Sequence, residues 1–187
     1  MAPSPVSLER ARLHVNDFLL LDRSGAFAGG KRTELIGGDI YYMNAQYRPH
    51  ARVKAKLYDE LRDWVRSSSS ALTVMTETTV AMPPHNAPEP DLILTSEPDG
   101  DGPIPVASVA LLIEVSDTTL ESDLGIKAMT YAAQGIPEYW VADVNGRVIH
   151  QMWGAGGGGY LERRVVAFGD SVAAETVEGL MVDRDCQ

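Results

Sequence analysis

The chain has 187 residues, with ordinary apolar and charged fractions, which is enough material for one packed core and excludes a disordered or fibrous protein. A lone cysteine, Cys186, excludes an intrachain disulfide and a cysteine-rich zinc site. The formal charge of −10 argues against a polyanionic partner, but its distribution softens that objection. Residues 31 to 66 carry eight bases against five acids, whereas everything after residue 66 carries five bases against eighteen acids. Because salt screens fields beyond roughly 8 Å, a local basic face outweighs the sum.

In chain order, residues 8–21 read as a short helix and Gly25–Gly30 as a flexible turn. Thr33–Ile36 and Asp39–Met43 flank Gly37-Gly38, the pattern of a β-hairpin. A helix begins at Pro49, with Val53, Leu57, Leu61 and Trp64–Val65 at the spacing of a core-facing stripe. Arg48, Arg52 and Lys56 fall four apart on another face, and Ser67–Ser70 closes the helix. Thr73–Met82 alternates as a strand, and Pro83–Pro88 is a loop rich in breakers.

Leu92–Leu94 and Val109–Val115 are wholly or mainly apolar and read as central strands buried on both faces, separated by an acidic surface loop over Glu97–Pro105. Thr118 or Thr119 caps a helix running to about Gln134, with Gly135 as its stop. Tyr139–Asp143 and Arg147–Trp153 pair around Asn145-Gly146. Gly154–Gly159 is a flexible run before a strand at Tyr160–Phe168, and it lacks the Gly-Lys-Ser/Thr ending of a phosphate loop. The order predicts a single α/β domain over 1–187, with its core at about 31–180 and helices on the faces of a mixed sheet. With neither a basic-then-apolar leader pattern nor a long apolar run, the expected address is cytoplasmic and not a membrane.

Two acids stand out. Asp91 follows Pro90 and opens a buried strand, while Glu114 interrupts Leu111-Leu112-Ile113-Glu114-Val115. A carboxylate in such a strand costs several kcal/mol unless it is paired. If the strands are neighbours, the two acids converge at the sheet edge, where a hard cation such as Mg²⁺ relieves both burial and repulsion. A strand-end carboxylate also serves as a cap or an ion-pair partner, and spacing alone leaves both readings open. Lys127 lies one helix after Glu114, with Asp123 four residues before it, a spacing that supports an ion pair.

Glu89-Pro90-Asp91-Leu92-Ile93-Leu94, the run Leu112 to Leu120, Asp123, Lys127, Tyr131 and Gly135-Ile136-Pro137-Glu138-Tyr139-Trp140 resemble the Uma-type restriction endonucleases of the PD-(D/E)XK nuclease superfamily. Glu34 to Ile40 and His50 match in the same order, so the resemblance covers roughly residues 13 to 180. It implies a restriction-endonuclease-like mixed sheet flanked by helices. It also implies that Asp91, Glu114 and the Val115 carbonyl are ligands of Mg²⁺, with Mn²⁺ as a substitute. The superfamily lysine expected two residues after the glutamate is Ser116 here, so the resemblance hands that role to Lys127. Glu34 stands where related nucleases add an acid.

The implied activity is metal-dependent endonucleolytic hydrolysis of DNA, with Lys127 orienting or deprotonating water. The alternative is a catalytically silent module binding nucleic acid or protein on the same fold. Arg48, His50, Arg52 and Lys56 are the candidate DNA-backbone contacts, although a charged helix face is also often merely solvated and His50 also suits a capping role. Two strands to cut suggest a homodimer. An apolar small-molecule site finds no support beyond ordinary core composition, and Tyr131 and Trp140 read as core.

Overall fold

The computed structural model describes residues 10–27 and 31–182. A six-stranded mixed sheet runs β10-β9-β8-β7-β5-β3, built from β3 (Thr73–Thr76), β5 (Leu92–Thr95), β7 (Val109–Ser116), β8 (Glu138–Asp143), β9 (Val148–Gly156) and β10 (Gly159–Ala167). Within this sheet only β7 and β8 are parallel neighbours, so the chain needs a crossover between them. A helical stretch provides it: α3 (Leu120–Ser122), a π turn (Asp123–Lys127) and α4 (Ala128–Ala133). The central strands are buried on both faces, as their apolar sequences require.

On one face lies α2 (Arg48–Ser67), whose Val53, Leu57 and Leu61 pack on Leu92, Leu94, Leu111 and Ile113. Full burial of each leucine contributes about 1.5–3 kcal/mol. The same layer includes Val172 of β11 (Val172–Ala173), Val182 of β12 (Met181–Val182), and Val177 and Leu180 between them. Glu138, fully buried, clamps this segment to the sheet: its Oε2 accepts the N–H groups of Glu175 and Thr176, both at 2.8 Å. Its Oε1 accepts from Trp140 Nε1 and Gln151 Nε2, both at 2.6 Å. On the other face, Ala128, Tyr131 and Ala132 of α4 pack on Ile93, Leu112, Tyr139 and Met152.

A smaller layer joins α1 (Val15–Arg23) to the hairpin β1 (Thr33–Ile36) and β2 (Asp39–Tyr42) through Val15, Phe18, Leu35 and Ala87. Gly37 and Gly38 have φ of 61° and 85°, the left-handed pair that a tight hairpin demands. Main-chain bonds between Leu35 and Ala87, at 2.8 and 3.1 Å, dock β1 beside the proline loop that leads into β5.

Four sequence expectations shift. The first helix begins at Val15 and not at residue 8; residues 8 and 9 fall outside the described residues, and Leu13 N–H donates to Gly38 O at 3.2 Å. The strand expected over Thr73–Met82 breaks at Glu77, whose φ is 50°, leaving β3 in the main sheet and β4 (Val80–Ala81) paired with β6 (Ile104–Pro105). Thr119 takes the N-cap position before Leu120, as read, but the helix that follows is not continuous α-helix: it contains a π turn. The glycine run is ordered, because β9 extends to Gly156 and pairs with Gly159 across a two-residue connection. The Asn145-Gly146 turn forms as read, its N–H groups donating to Asp143 Oδ1 at 3.0 and 2.8 Å.

Candidate active site

Strands β5 and β7 pair with Leu92 opposite Ile113, so Asp91 at the mouth of β5 sits beside Glu114. Continuing that register places Pro90 opposite Val115. Proline has no N–H to donate, and the ladder stops there. Asp91 fills the gap: its Oδ2 accepts the Val115 N–H at 2.9 Å. In a strand the N–H and C=O of one residue face the same side, so the Val115 carbonyl also turns toward the edge beyond β5. Ser116 faces the other way, its carbonyl accepting from Val144 N–H at 2.9 Å. The Pro-Asp sequence thus creates an oxygen-lined notch at the sheet end.

Asp91 is 6% exposed and held from α2. His50 Nε2 lies 3.1 Å from its Oδ2, while Gln46 Nε2 donates to Oδ1 at 3.1 Å and Lys54 Nζ lies 3.5 Å away. Burial pushes its pKa up, but His50, the Val115 N–H and Lys54 together outweigh burial and hold it below the ordinary aspartate value. Lys54 is itself anchored by Glu77 at 2.5 Å, and Arg32 reaches the same carboxylate at 2.9 Å. Desolvation opposes those contacts, yet the two cations bring Glu77 down to about 2.

Glu114 behaves oppositely. It is 4% exposed, and its Oε1 accepts from Lys127 Nζ at 3.1 Å and Tyr131 OH at 2.9 Å. Burial pushes its pKa up to about 8; Lys127 offsets part of that, whereas Asp123, Asp91 and Glu34 add to it. Lys127 is ringed by three carboxylates, Glu114 at 3.1 Å, Glu34 at 3.2 Å and Asp123 at 3.9 Å. Burial opposes its charge, but that ring outweighs burial and raises its pKa. Asp123 is raised by burial, against Lys127 and a Thr119 hydroxyl donating at 2.5 Å. Asp123 and Lys127, four apart at the two ends of the π turn, are both buried.

The sequence-derived residues therefore separate into two groups. Asp91, Glu114, Lys127 and Glu34 converge, although they come from β1, the mouth of β5, β7 and the crossover helix. Arg48 and Arg52 stay on the exposed side of α2, and Lys56 is half-buried there. His50 leaves that face and turns inward to Asp91. Sequence reasoning missed Gln46, Lys54 and Glu77, and the direct bond from Tyr131, which is also core as expected. His50 and Lys54 stand four apart beside the Val53–Leu57 stripe, a signal that could have placed both. His85, in the proline loop, is half-buried with its Nδ1 2.9 Å from the Leu13 carbonyl.

Whether the site suits a divalent cation is decided by its donors. Among the described residues no three His, Cys, Asp or Glu side chains stand ready as a metal cage. Two carboxylates and a main-chain carbonyl do face one notch, however, and Glu34 Oε2 lies buried beside them, 3.2 Å from Lys127 Nζ. An all-oxygen set whose crowded acids would gain from a shared positive charge suits a hard ion such as Mg²⁺.

A mixed sheet with paired acids at adjacent strand ends and a lysine from the crossover helix defines a restriction-endonuclease-like α/β protein. Residues 15–184 match the Uma2 family, described as "Putative restriction endonuclease", and the chain belongs to that family. The fold is also that of a crystal structure from Anabaena variabilis ATCC 29413, described as a putative nuclease belonging to DUF820. That likeness has a TM-score of 0.63 at 13% identity, covering 87% of this chain and 89% of the other. No curated protein matches the chain.

Proposed function

We propose that this protein is a divalent-metal-dependent endonuclease that hydrolyses phosphodiester bonds in DNA. The observation that carries this reading is the notch itself: Asp91 tied to the Val115 N–H beside a Glu114 shared by Lys127 and Tyr131. Asp91, Glu114 and the Val115 carbonyl would hold Mg²⁺ or Mn²⁺, with Glu34 close by. When bound, such an ion supplies Lewis acidity toward a phosphoryl oxygen and lowers the pKa of bound water from ~15.7 toward ~7.

The protein groups divide the remaining work. Asp91 is already ionised at neutral pH and is oriented by His50 and Gln46. Glu114 must lose its proton to become a ligand, so affinity for the ion rises with pH toward about 8. Lys127 keeps its charge in the ring of carboxylates, which makes it a donor to the scissile phosphate and the attacking water and a poor base. The Tyr131 hydroxyl fixes the Glu114 oxygen that Lys127 also holds. Cutting both strands of a duplex would be served by a two-fold dimer, and light scattering decides its presence.

Cutting of plasmid or of single-stranded circular DNA with Mg²⁺ or Mn²⁺ tests the reading. Wild type should cut and Asp91→Ala should not; equal behaviour at equal purity overturns the enzyme. One observation favours a second reading. Three carboxylates already share one ammonium, so the cluster is partly compensated without an ion, as a silent binding module would require. Saturable Mn²⁺ binding lost in Glu114→Ala rejects that alternative.

A further inference from the structure

The rim of the cleft has a different chemistry from its floor. The floor is Glu34, Asp91 and Glu114; the rim runs from Tyr42 at the end of β2 through Asn44 and Gln46 to Tyr47 at the start of α2. Tyr42 is 53% exposed and Tyr47 66%, both lining the mouth of the recess. Lys31 Nζ sits 5.4 Å from the centre of the Tyr42 ring, and the exposed Arg48 follows Tyr47 directly. Among the described residues lining the cleft, none is lysine or arginine.

We propose that the cleft takes an unpaired nucleotide strand, with Tyr42 and Tyr47 stacking on bases beside the phosphate presented to the acids, and Lys31 and Arg48 meeting neighbouring phosphates. The proposal rests on the nuclease reading above and names its substrate class. Three observations carry it. The acids are recessed, so a phosphate has to be pushed into the cleft; a strand with free backbone torsions does this, whereas paired DNA must be distorted. Exposed aromatic rings offer each base a π-face without requiring a sequence, which is how single strands are held. The lining itself holds no lysine or arginine, which leaves Lys31 and Arg48 at the rim but no row of the phosphate contacts that drive duplex binding.

The experiment is fluorescence anisotropy of a labelled oligothymidylate and of a duplex of equal length. Wild-type protein is used in Ca²⁺, which takes the same kind of oxygen ligands. The expected result is a preference of about tenfold or more for the single strand, weakened roughly tenfold by Tyr42→Ala or by Tyr47→Ala and retained in the phenylalanine variants. Thermal melts of these surface variants confirm that they fold. Equal or tighter binding of the duplex, or binding indifferent to both tyrosines, overturns the stacking proposal. Mn²⁺-dependent plasmid cutting that persists in that case leaves the nuclease reading standing. Absence of both binding and cutting overturns the two together.

Discussion

Replacing Glu114 by glutamine keeps the shape of the side chain and removes its charge. Lys127 keeps Glu34 at 3.2 Å and Asp123 at 3.9 Å, and Tyr131 keeps an oxygen to donate to, so no buried cation is orphaned. In the wild type the folded-state pKa of Glu114 is raised from 4.5 to about 8. A carboxyl with a raised pKa holds its proton more tightly when folded. Its contribution is therefore fully present below the unfolded value and is lost as pH rises through the folded one. Across that window the full shift corresponds to up to about 5 kcal/mol of metal-free stability. Urea unfolding in chelator should show the two proteins alike at about pH 4 and below, with Glu114→Gln gaining on wild type as pH rises toward about 8. Parallel curves over the whole window would refute the claim that Glu114 is a crowded, desolvated acid.

Other consequences can be checked separately. Asp91→Asn should abolish both the heat of Mn²⁺ binding and plasmid cutting, read by titration calorimetry and by gel. Lys127→Met leaves Glu114, Glu34 and Asp123 facing one another without their shared ammonium and should cost about 3–5 kcal/mol in urea unfolding near neutral pH. Leu57→Ala removes a fully buried side chain between α2 and the sheet, at about 2–5 kcal/mol by the same assay. Glu138→Ala strips the acceptor from several buried donors and should free the 172–182 segment first, seen as faster amide exchange at Glu175 and Thr176.

Much of the site was legible because it violates local rules. A glutamate inside an apolar strand and an aspartate after proline at a strand mouth both carry costs that a sequence displays. The positions of Asp91 and Glu114 therefore followed from pattern, Lys127 followed from its spacing to Asp123 together with family resemblance, and Glu34 followed from that resemblance alone. What was hidden depends on tertiary register. Whether His50 or Arg48 meets Asp91 is set by how α2 rotates on the sheet, and the apolar stripe of Val53 and Leu57 fixes that rotation only approximately. The break at Glu77 is set by two cations from β1's flank and α2, contacts between residues far apart in sequence. The π turn has no hydrophobic period of its own; it registers only as two charged residues, Asp123 and Lys127, buried together.

The central claim is that one cation lodges in the notch between Asp91, Glu114 and the Val115 carbonyl. Anomalous scattering from a crystal of the protein soaked in Mn²⁺ at mildly alkaline pH tests it most directly. The account predicts one peak within coordination reach of both carboxylates, lost in Asp91→Asn. A notch without such a peak, or a peak elsewhere in the protein at full occupancy, would contradict it.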